Sequence, residues 1–288
     1  MALFVSPRQK KGIGALSSRS EARGALMRLA VTPDAAVDIG EAALALAAFD
    51  RPDRAITPYR GHLDDLAAET GAALADSDGG LSAQIAALQQ VLVERYGYAG
   101  DDDTYDDLRN ANMMWVIDRR RGLPVTLGIL YLHCARRLGW RMEGLNFPGH
   151  FLLRLEHDGG RAIIDPFNGG RAVTAADMRD MLKATAGAAA ELQPAYYQPV
   201  STRDVLLRLM NNIKLRHIAA DDMPHALSAL ERMRLFAPDE PSVWRETGLL
   251  QAHMGDVAGA VEALETFMSL SDNDRQRHHA AMLIQELR

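Results

Sequence analysis

The sequence has little cysteine and no long apolar run. Its 288 residues include one cysteine, Cys134, which excludes an internal disulfide and argues against a thiolate-rich metal site. No stretch approaches the roughly 18 uninterrupted apolar residues that a membrane-spanning helix needs. Residues 1–7 are too short an apolar start for a secretory signal. We therefore expect a cytoplasmic protein without a membrane segment.

Motifs that hold phosphates, cofactors or metal ions are also missing. The chain has no glycine-rich phosphate loop and no paired cysteines, so we expect neither a cofactor nor a metal site. His278 and His279 are adjacent, and neighbouring helix positions point about 100° apart, which disfavours a shared ion. A net charge of -6 opposes binding to nucleic acid. The basic run Arg119–Arg121 is expected to pair with the acids of Asp101–Asp103.

Length and composition favour two folded domains. Hydrophobic residues make up 48% and charged residues 24%, close to the averages of globular proteins. Residues 1–24 mix basic residues, glycine and serine without sustained periodicity, and are predicted to form a mobile tail. We expect a main domain over 25–198 and a helical region over 199–288. The segment Thr32–Asp34 supplies a cap and a first-turn proline, and predicts the start of the first core helix.

Several helices precede a hairpin in the main domain. Apolar spacing predicts helices over residues 58–70, 82–96 and 108–120. The segment Gly122–Pro124 then ends one helix and starts another, because proline suits a first helical turn. This further helix runs to Leu138, before Gly139.

The period then changes from helix to strand. Phe151–Leu155 and Ala162–Ile164 flank a turn at Asp158–Gly159, a pattern typical of a β-hairpin. If the turn residues form the tip, the numbers of facing residues sum to 317. His150 and Asp165 then share a face and lie diagonal to one another, within reach of a hydrogen bond. A register shift of one residue would separate them.

The C-terminal region contains an internal repeat of 34 residues. The repeat aligns Met210 with Trp244, Asp221 with Gly255, Ala226 with Ala260, Leu230 with Leu264 and Pro238 with Asp272. This pattern resembles two tetratricopeptide repeats, in which small residues let paired helices approach closely. We expect a helix over 275–287 to cap the array. A helical bundle that only adds stability is the alternative.

Four segments of the main domain carry a family resemblance. They are Arg119–Leu127, Ala135–Gly139, Phe147–Phe151 and Ile164–Gly170. Together they resemble the bacterial SirB-type family, in which a transglutaminase-like domain precedes tetratricopeptide repeats. The resemblance runs from about residue 34 to the C-terminus. It implies an α+β fold: a mainly helical, papain-like domain with a small antiparallel sheet, followed by all-α repeats.

The resemblance also implies a site. In the superfamily, a cysteine begins a helix, a histidine activates it and an aspartate orients the histidine. Here His150 and Asp165 match the histidine and aspartate, but Pro124 stands where the cysteine is expected. Because proline has no attacking atom, the thioester route is closed. Asn168, Arg121 and Pro124 are the candidate binding residues around this remnant dyad.

Two other residues of this predicted helix carry nucleophilic atoms. Cys134 lies ten residues after Pro124, about 15 Å along the helix, which is too far for attack at the helix start. Thr126 is nearer, but its hydroxyl is hard to ionise and competes for backbone hydrogen bonds.

We therefore expect a non-catalytic binding or regulatory protein, with a protein or peptide partner at the repeats. The alternative is a cysteine-independent amide or ester hydrolase, or an acyltransferase, with His150 as general base.

Overall fold

The computed structural model describes the backbone of residues 7–75 and 77–288, and the side chains of residues 19–75 and 77–288. The α-helices of this part of the chain are Pro7–Val31 (α1), Ile39–Ala48 (α2), Thr57–Ala73 (α3), Leu81–Leu88 (α4), Met113–Arg119 (α5), Pro124–Arg137 (α6), Ala175–Ala186 (α7), Thr202–Ala219 (α8), Met223–Phe236 (α9), Pro241–His253 (α10), Val257–Leu270 (α11) and Asp274–Leu287 (α12). Helix α4 continues as a π-helix over Gln89–Arg95. None of the described helices combines the length and the apolar composition needed to cross a bilayer.

The strands are short. They are Ala99–Gly100 (β1), Arg121–Gly122 (β2), Arg141–Leu145 (β3), Leu153–His157 (β4), Gly160–Asp165 (β5), Arg171–Ala172 (β6) and Pro199–Val200 (β7). Strands β1 and β2 form a parallel pair, and the others form an antiparallel sheet of order β6-β5-β4-β3-β7. This small sheet among many helices confirms the predicted α+β fold.

Two compact units make up the described chain. One contains the residues up to Ala22 together with Asp34–Leu209, and the other contains Arg23–Pro33 and Met210–Arg288. The domain limits predicted from the sequence, 25–198 and 199–288, stay predictions.

Helix α1 occupies most of the segment predicted to be a mobile tail. It runs over Pro7–Val31, and its residues Ala22 and Leu26 are buried. The sequence analysis missed this helix because Gly12 and Gly14 interrupt any apolar stripe. Residues 1–6 of the predicted tail lie outside the described residues.

The first core helix begins later than predicted. Asp38 caps α2 by accepting hydrogen bonds from the backbone N–H groups of Gly40 and Glu41, at 3.0 and 3.1 Å. The predicted start at Thr32–Asp34 is therefore wrong. Asp34 instead accepts from the backbone N–H groups of Thr202 and Arg203, and so caps α8.

The hairpin has the predicted register. Leu153 faces Ile164 and His157 faces Gly160, so the numbers of each facing pair sum to 317. The turn places Asp158 and Gly159 in the left-handed region, at φ 48° and 79°. These are residue types that adopt positive φ most readily, and this explains why the sequence defines the register.

The C-terminal unit repeats with the predicted period. Helices α9 and α11 begin 34 residues apart, at Met223 and Val257. The preceding turns contain the aligned residues Asp221 and Gly255, both with left-handed backbone. Gly248 of α10 allows a close approach of α11, because a Cβ there would lie 2.6 Å from the side chain of Leu264. Helix α12 occupies the segment 275–287 that was predicted to be helical, and its capping role stays a prediction.

Candidate functional site

Helix α6 begins at Pro124, the position where the family resemblance predicts a nucleophile. Leu123 is the extended N-cap residue, and Pro124 is the first helical residue. The backbone N–H of Leu123 donates to the carbonyl oxygen of Asn110 at 3.1 Å, which fixes the entry of the chain into the helix. The side chain at the helix start is a buried pyrrolidine ring, which can neither donate a proton nor attack a carbonyl.

The two alternative nucleophiles are both buried and occupied. The Thr126 hydroxyl is fully buried and donates to the carbonyl oxygen of Asn110 at 2.8 Å. Cys134 is also fully buried, and burial raises the pKa of its thiol to about 12. An ionised thiol is the reactive form, so Cys134 is inert near neutral pH. The geometry gives Thr126 a structural hydrogen bond to a residue outside α6.

His150 and Asp165 lie together. Asp165 ends β5, while His150 lies in the loop before β4, and its Nε2 is 2.8 Å from Oδ1 of Asp165. Strand pairing begins at Leu153, so the loop before β4, rather than the register alone, brings the imidazole to the carboxylate. The Asp165 side chain is 0% exposed and that of His150 is 18% exposed, so the imidazole is the part of the pair that reaches the surface.

Asp165 accepts hydrogen bonds at both carboxylate oxygens. Oδ1 also accepts from the backbone N–H groups of Phe167 and Asn168, and Oδ2 accepts from the side-chain amide of Asn168 at 2.6 Å. Burial opposes ionisation, but hydrogen bonds from His150 and Asn168 outweigh it and lower the pKa of Asp165. The site therefore holds a carboxylate that orients the imidazole, and Asn168 stabilises that carboxylate.

The ring of His150 is positioned by an aromatic neighbour. Phe167 meets it edge to face, with ring centroids 6.0 Å apart. Phe167 in turn packs on Gly100 of β1, where a Cβ would lie 2.6 Å from the phenyl ring. A larger residue at 100 would displace the ring that faces the imidazole.

The hydrogen bonds of Arg121 go to backbone groups and not to His150 or Asp165. Its guanidinium donates to the carbonyl oxygens of Gly97 and Arg120, each at 3.0 Å. Within the same basic run, Arg119 binds Asp101 at 3.1 Å, as the sequence predicted. Arg120 instead contacts His62 and lies over an aromatic ring, so the run is not one solvated cluster.

Two features that hold the histidine loop were not predicted from the sequence. The guanidinium of Arg208 donates to the carbonyl oxygens of Phe147 and His150. The ring of Phe151 lies against Gly128 of α6 and Gly144 of β3, where Cβ atoms would lie 2.5 and 2.7 Å from it. The available signal was an arginine within an apolar stretch of α8, between Leu207 and Leu209.

Comparison with known families agrees with this architecture. Residues 57–211 match the transglutaminase-like superfamily, and residues 213–285 match the tetratricopeptide repeat. The first match contains the start of α6, the dyad and Arg208. The second contains the helices that repeat with the 34-residue period.

Several bacterial proteins are similar to this chain. A UPF0162 protein of Xylella fastidiosa is 34% identical over 190 residues, which are 65% of this chain and 68% of the relative. A UPF0162 protein of Pseudomonas aeruginosa is 34% identical over 198 residues, covering 69% and 72%. The protein SirB1 of Salmonella typhimurium is 27% identical over 191 residues, covering 65% and 71%. The chain therefore belongs to the transglutaminase-like superfamily, in which it joins that domain to C-terminal tetratricopeptide repeats.

Proposed function

We propose that this protein is a non-catalytic member of the superfamily that acts by binding a protein or peptide. The observation that carries the proposal is the proline ring of Pro124 at the start of α6. Acyl transfer through a covalent intermediate needs an attacking atom at that position. A cytoplasmic location is part of the proposal, and its support is the single cysteine of the chain.

The other side chains of α6 support this proposal. The only thiol, Cys134, is buried and its pKa is raised to about 12. The hydroxyl of Thr126 is buried and already donates to Asn110. To attack a substrate, Thr126 would have to leave this bond and leave a buried carbonyl oxygen with one partner fewer, which is costly in an apolar interior.

The remnant dyad suits a ligand that offers hydrogen bonds. Nε2 of His150 is bound to Asp165, so Nδ1 is the ring nitrogen that remains for a ligand at this partly exposed imidazole. An imidazole held in this way offers one directed hydrogen bond next to the apolar ring of Phe167. A peptide amide or a chain terminus has the matching polar group.

The repeats supply the second part of the proposed binding function. Arrays of this kind present helical surfaces to peptides and proteins. The C-terminal unit has exposed large apolar side chains, which are Leu215, Ile218, Leu249, Met254, Val257 and Met282. Exposed apolar side chains on a repeat array favour a protein partner over a small polar ligand.

A second candidate function is hydrolysis in which His150 activates water. The observation that favours it is the intact hydrogen bond of 2.8 Å between His150 and Asp165, the base and orienter of the superfamily mechanism. No residue of α6 is needed for attack by water. This candidate requires that His150 be essential for turnover.

One assay distinguishes the two candidates. The full chain and its His150→Ala variant would be incubated with panels of amide, ester and thioester substrates. We expect both proteins to release product at the same background rate. Turnover in the wild type that His150→Ala abolishes would overturn the proposal and support the hydrolase. Asp158→Asn, at an exposed turn position, is the matched control for a charge change in the same hairpin.

A further inference from the structure

Three potential metal ligands meet at the turn between α8 and α9. Nδ1 of His217 is 3.2 Å from Oδ2 of Asp222, and Nδ1 of His225 is 2.8 Å from Oδ1 of the same carboxylate. The two imidazole rings are stacked, with centroids 5.2 Å apart and planes inclined by 17°. One ligand atom from each residue lies within 4.8 Å of the others.

The backbone of the turn builds this cluster. The backbone N–H of Asp222 donates to the carbonyl oxygen of His217 at 2.8 Å, which closes the end of α8. Asp222 is also the N-cap of α9 and accepts from the backbone N–H of His225. Asp221 makes the reversal between the helices with φ 56°. The three side chains are therefore brought together by a tight turn rather than by flexible loops.

The second repeat provides an internal comparison. Its turn carries Asp256 as the N-cap of α11, with Gln251 and Gly259 at the positions of the two histidines. The side-chain amide of Gln251 donates to Oδ2 of Asp256 at 3.2 Å, and the backbone N–H of Gly259 donates to Oδ1 at 3.0 Å. The fold of the turn thus needs the aspartate but not the histidines, so the histidines of the first turn are available for another role.

We propose that His217, Asp222 and His225 form a site for a divalent transition-metal ion of the zinc class. Two imidazoles and one carboxylate are the donor set that suits zinc and its neighbours. Calcium and magnesium prefer a shell of oxygen ligands, and this cluster offers one carboxylate. Three protein ligands leave room for water or a further group on the metal.

The distances suit such an ion. With zinc bonds of about 2.0–2.1 Å, the ligand atoms of a tetrahedral site lie about 3.4 Å apart. The two Nδ1–Oδ distances of 3.2 and 2.8 Å are near this value. The His217 side chain is 13% exposed and is held by its surroundings, whereas that of His225 is 67% exposed and is free to adjust. Metal binding would replace the hydrogen bonds to Asp222 by coordination through the same atoms.

Sequence reasoning predicted no metal site because the ligands are single residues spread over a turn. The spacing is a histidine, then an aspartate five positions later, then a histidine three positions after that. A local scan for paired cysteines or histidines does not detect it. Only the reversal at Asp221 brings the first ligand to the other two.

Titration of the untagged full chain with Zn²⁺, followed by isothermal calorimetry near neutral pH, tests the proposal. We expect one ion to bind per chain in the wild type. His217→Gln and His225→Ala should each weaken Zn²⁺ binding by more than about 100-fold. The loss of a residue that only hydrogen-bonds to a metal ligand already costs about 10–100-fold in affinity, and the loss of a ligand should cost more. His217→Gln copies the residue of the second turn, so the variant is expected to fold normally. Unchanged Zn²⁺ affinity in both variants, or no binding by the wild type, would overturn the proposal.

Two further variants test the assignment within the same unit. Asp222→Asn keeps a good N-cap residue but removes the negative charge, so it should weaken Zn²⁺ binding while preserving the melting temperature. His253→Ala removes an exposed histidine at the end of α10 and should leave Zn²⁺ binding unchanged. Binding that is lost with His253→Ala and retained with Asp222→Asn would place the ion elsewhere and overturn the site.

Discussion

Arg208 holds the backbone of His150 through a hydrogen bond from its guanidinium to the carbonyl oxygen of that residue. A second bond, of 3.0 Å, reaches the carbonyl oxygen of Phe147, and the guanidinium carbon lies 5.4 Å from the centroid of the Phe151 ring. Burial lowers the pKa of Arg208, which shows that its charge lies in a poorly solvated place. One side chain therefore holds the loop that carries the histidine at two points, Phe147 and His150.

Arg208→Met should destabilise the main domain and loosen the histidine loop. Hydrogen bonds from a charged group contribute about 1.5–3 kcal/mol, so we expect the free energy of unfolding to fall by about 2–3 kcal/mol. Arg208→Lys should recover only part of this loss, because both bonds come from Nη2 at the far end of the guanidinium, and the lysine side chain is shorter. Urea unfolding measures the stability, and the imidazole resonances of His150 report the loop.

The control for Arg208 is an arginine on the surface of the same unit. Arg137 pairs with Asp64 at 2.7 Å, and its side chain is half exposed. Arg137→Met should change the free energy of unfolding by less than about 1 kcal/mol, as is usual for surface ion pairs. Equal losses in Arg208→Met and Arg137→Met would contradict the bracing role of Arg208.

Asp165→Asn should lower stability in a manner that depends on pH. The pKa of Asp165 is lowered from 3.8, so the carboxylate contributes fully above that unfolded value and its contribution is lost as the pH falls through the lower folded value. An asparagine would point an N–H group at the donors of His150 or Asn168. We expect a loss of about 2–3 kcal/mol at neutral pH, measured by urea unfolding.

The difference between wild type and Asp165→Asn should begin to narrow near pH 3.8, where the unfolded carboxyl takes up its proton. It should narrow further as the pH falls through the lower folded pKa, where the folded carboxylate is also neutralised. Asp158→Asn, at the exposed tip of the same hairpin, should show a small difference at every pH. A wild-type advantage that stays constant between neutral pH and about pH 3 would mean that folding does not lower the pKa of Asp165.

The sequence was informative where local chemistry determines structure. The turn at Asp158–Gly159 sets the hairpin register, which lays the start of β4 and the loop that carries His150 beside the end of β5 at Asp165. The 34-residue period predicted the turns around Asp221 and Gly255. In each case, residue types that adopt positive φ lie close in sequence to the elements they connect.

The sequence was misleading where the partner of a residue is distant. The sequence predicts that Asp34 starts a local helix. In the structure it caps α8 instead, by accepting from the backbone N–H of Thr202, 168 residues later in the chain. The hydroxyl of Thr126 donates to the carbonyl oxygen of Asn110, which precedes α5, and not to a carbonyl of α6. Arg208 reaches the histidine loop from 58 residues downstream. Helical periodicity and capping preference are local patterns, so they do not predict contacts between residues that are distant in sequence.

Gly128→Ala should destabilise the domain although alanine favours helices. In an open helix position, this exchange adds about 0.5–1 kcal/mol of stability. At Gly128 the new Cβ would lie 2.5 Å from the ring of Phe151, and overpacking a core costs about 1–3 kcal/mol. Overpacking wins, so we expect a net loss of about 1–2 kcal/mol in urea unfolding.

Gly61 provides the matched control for Gly128. It lies in α3, where an added Cβ would meet nothing within 4 Å. Gly61→Ala should raise the free energy of unfolding by about 0.5–1 kcal/mol. A stabilised Gly128→Ala variant would contradict the close contact of α6 with Phe151.

Pro124→Cys should install a reactive thiol at the start of α6. The first helical position lies at the positive end of the helix dipole, which favours a thiolate. The family resemblance places the imidazole of His150 opposite this position, so we expect it to favour the thiolate further. We expect the pKa of the introduced thiol to lie below the ordinary cysteine value, as measured by thiolate absorbance in a pH titration. Cys134 does not interfere, because burial raises the pKa of its thiol to about 12.

A double variant, Pro124→Cys with His150→Ala, tests whether the imidazole acts on this thiol. Its introduced thiol should have a higher pKa than the thiol of Pro124→Cys alone, because the imidazole no longer stabilises the thiolate. A thiol whose pKa is the same with and without His150 would mean that position 124 does not face the histidine. The proposal that Pro124 has replaced the nucleophile of this site would then be wrong.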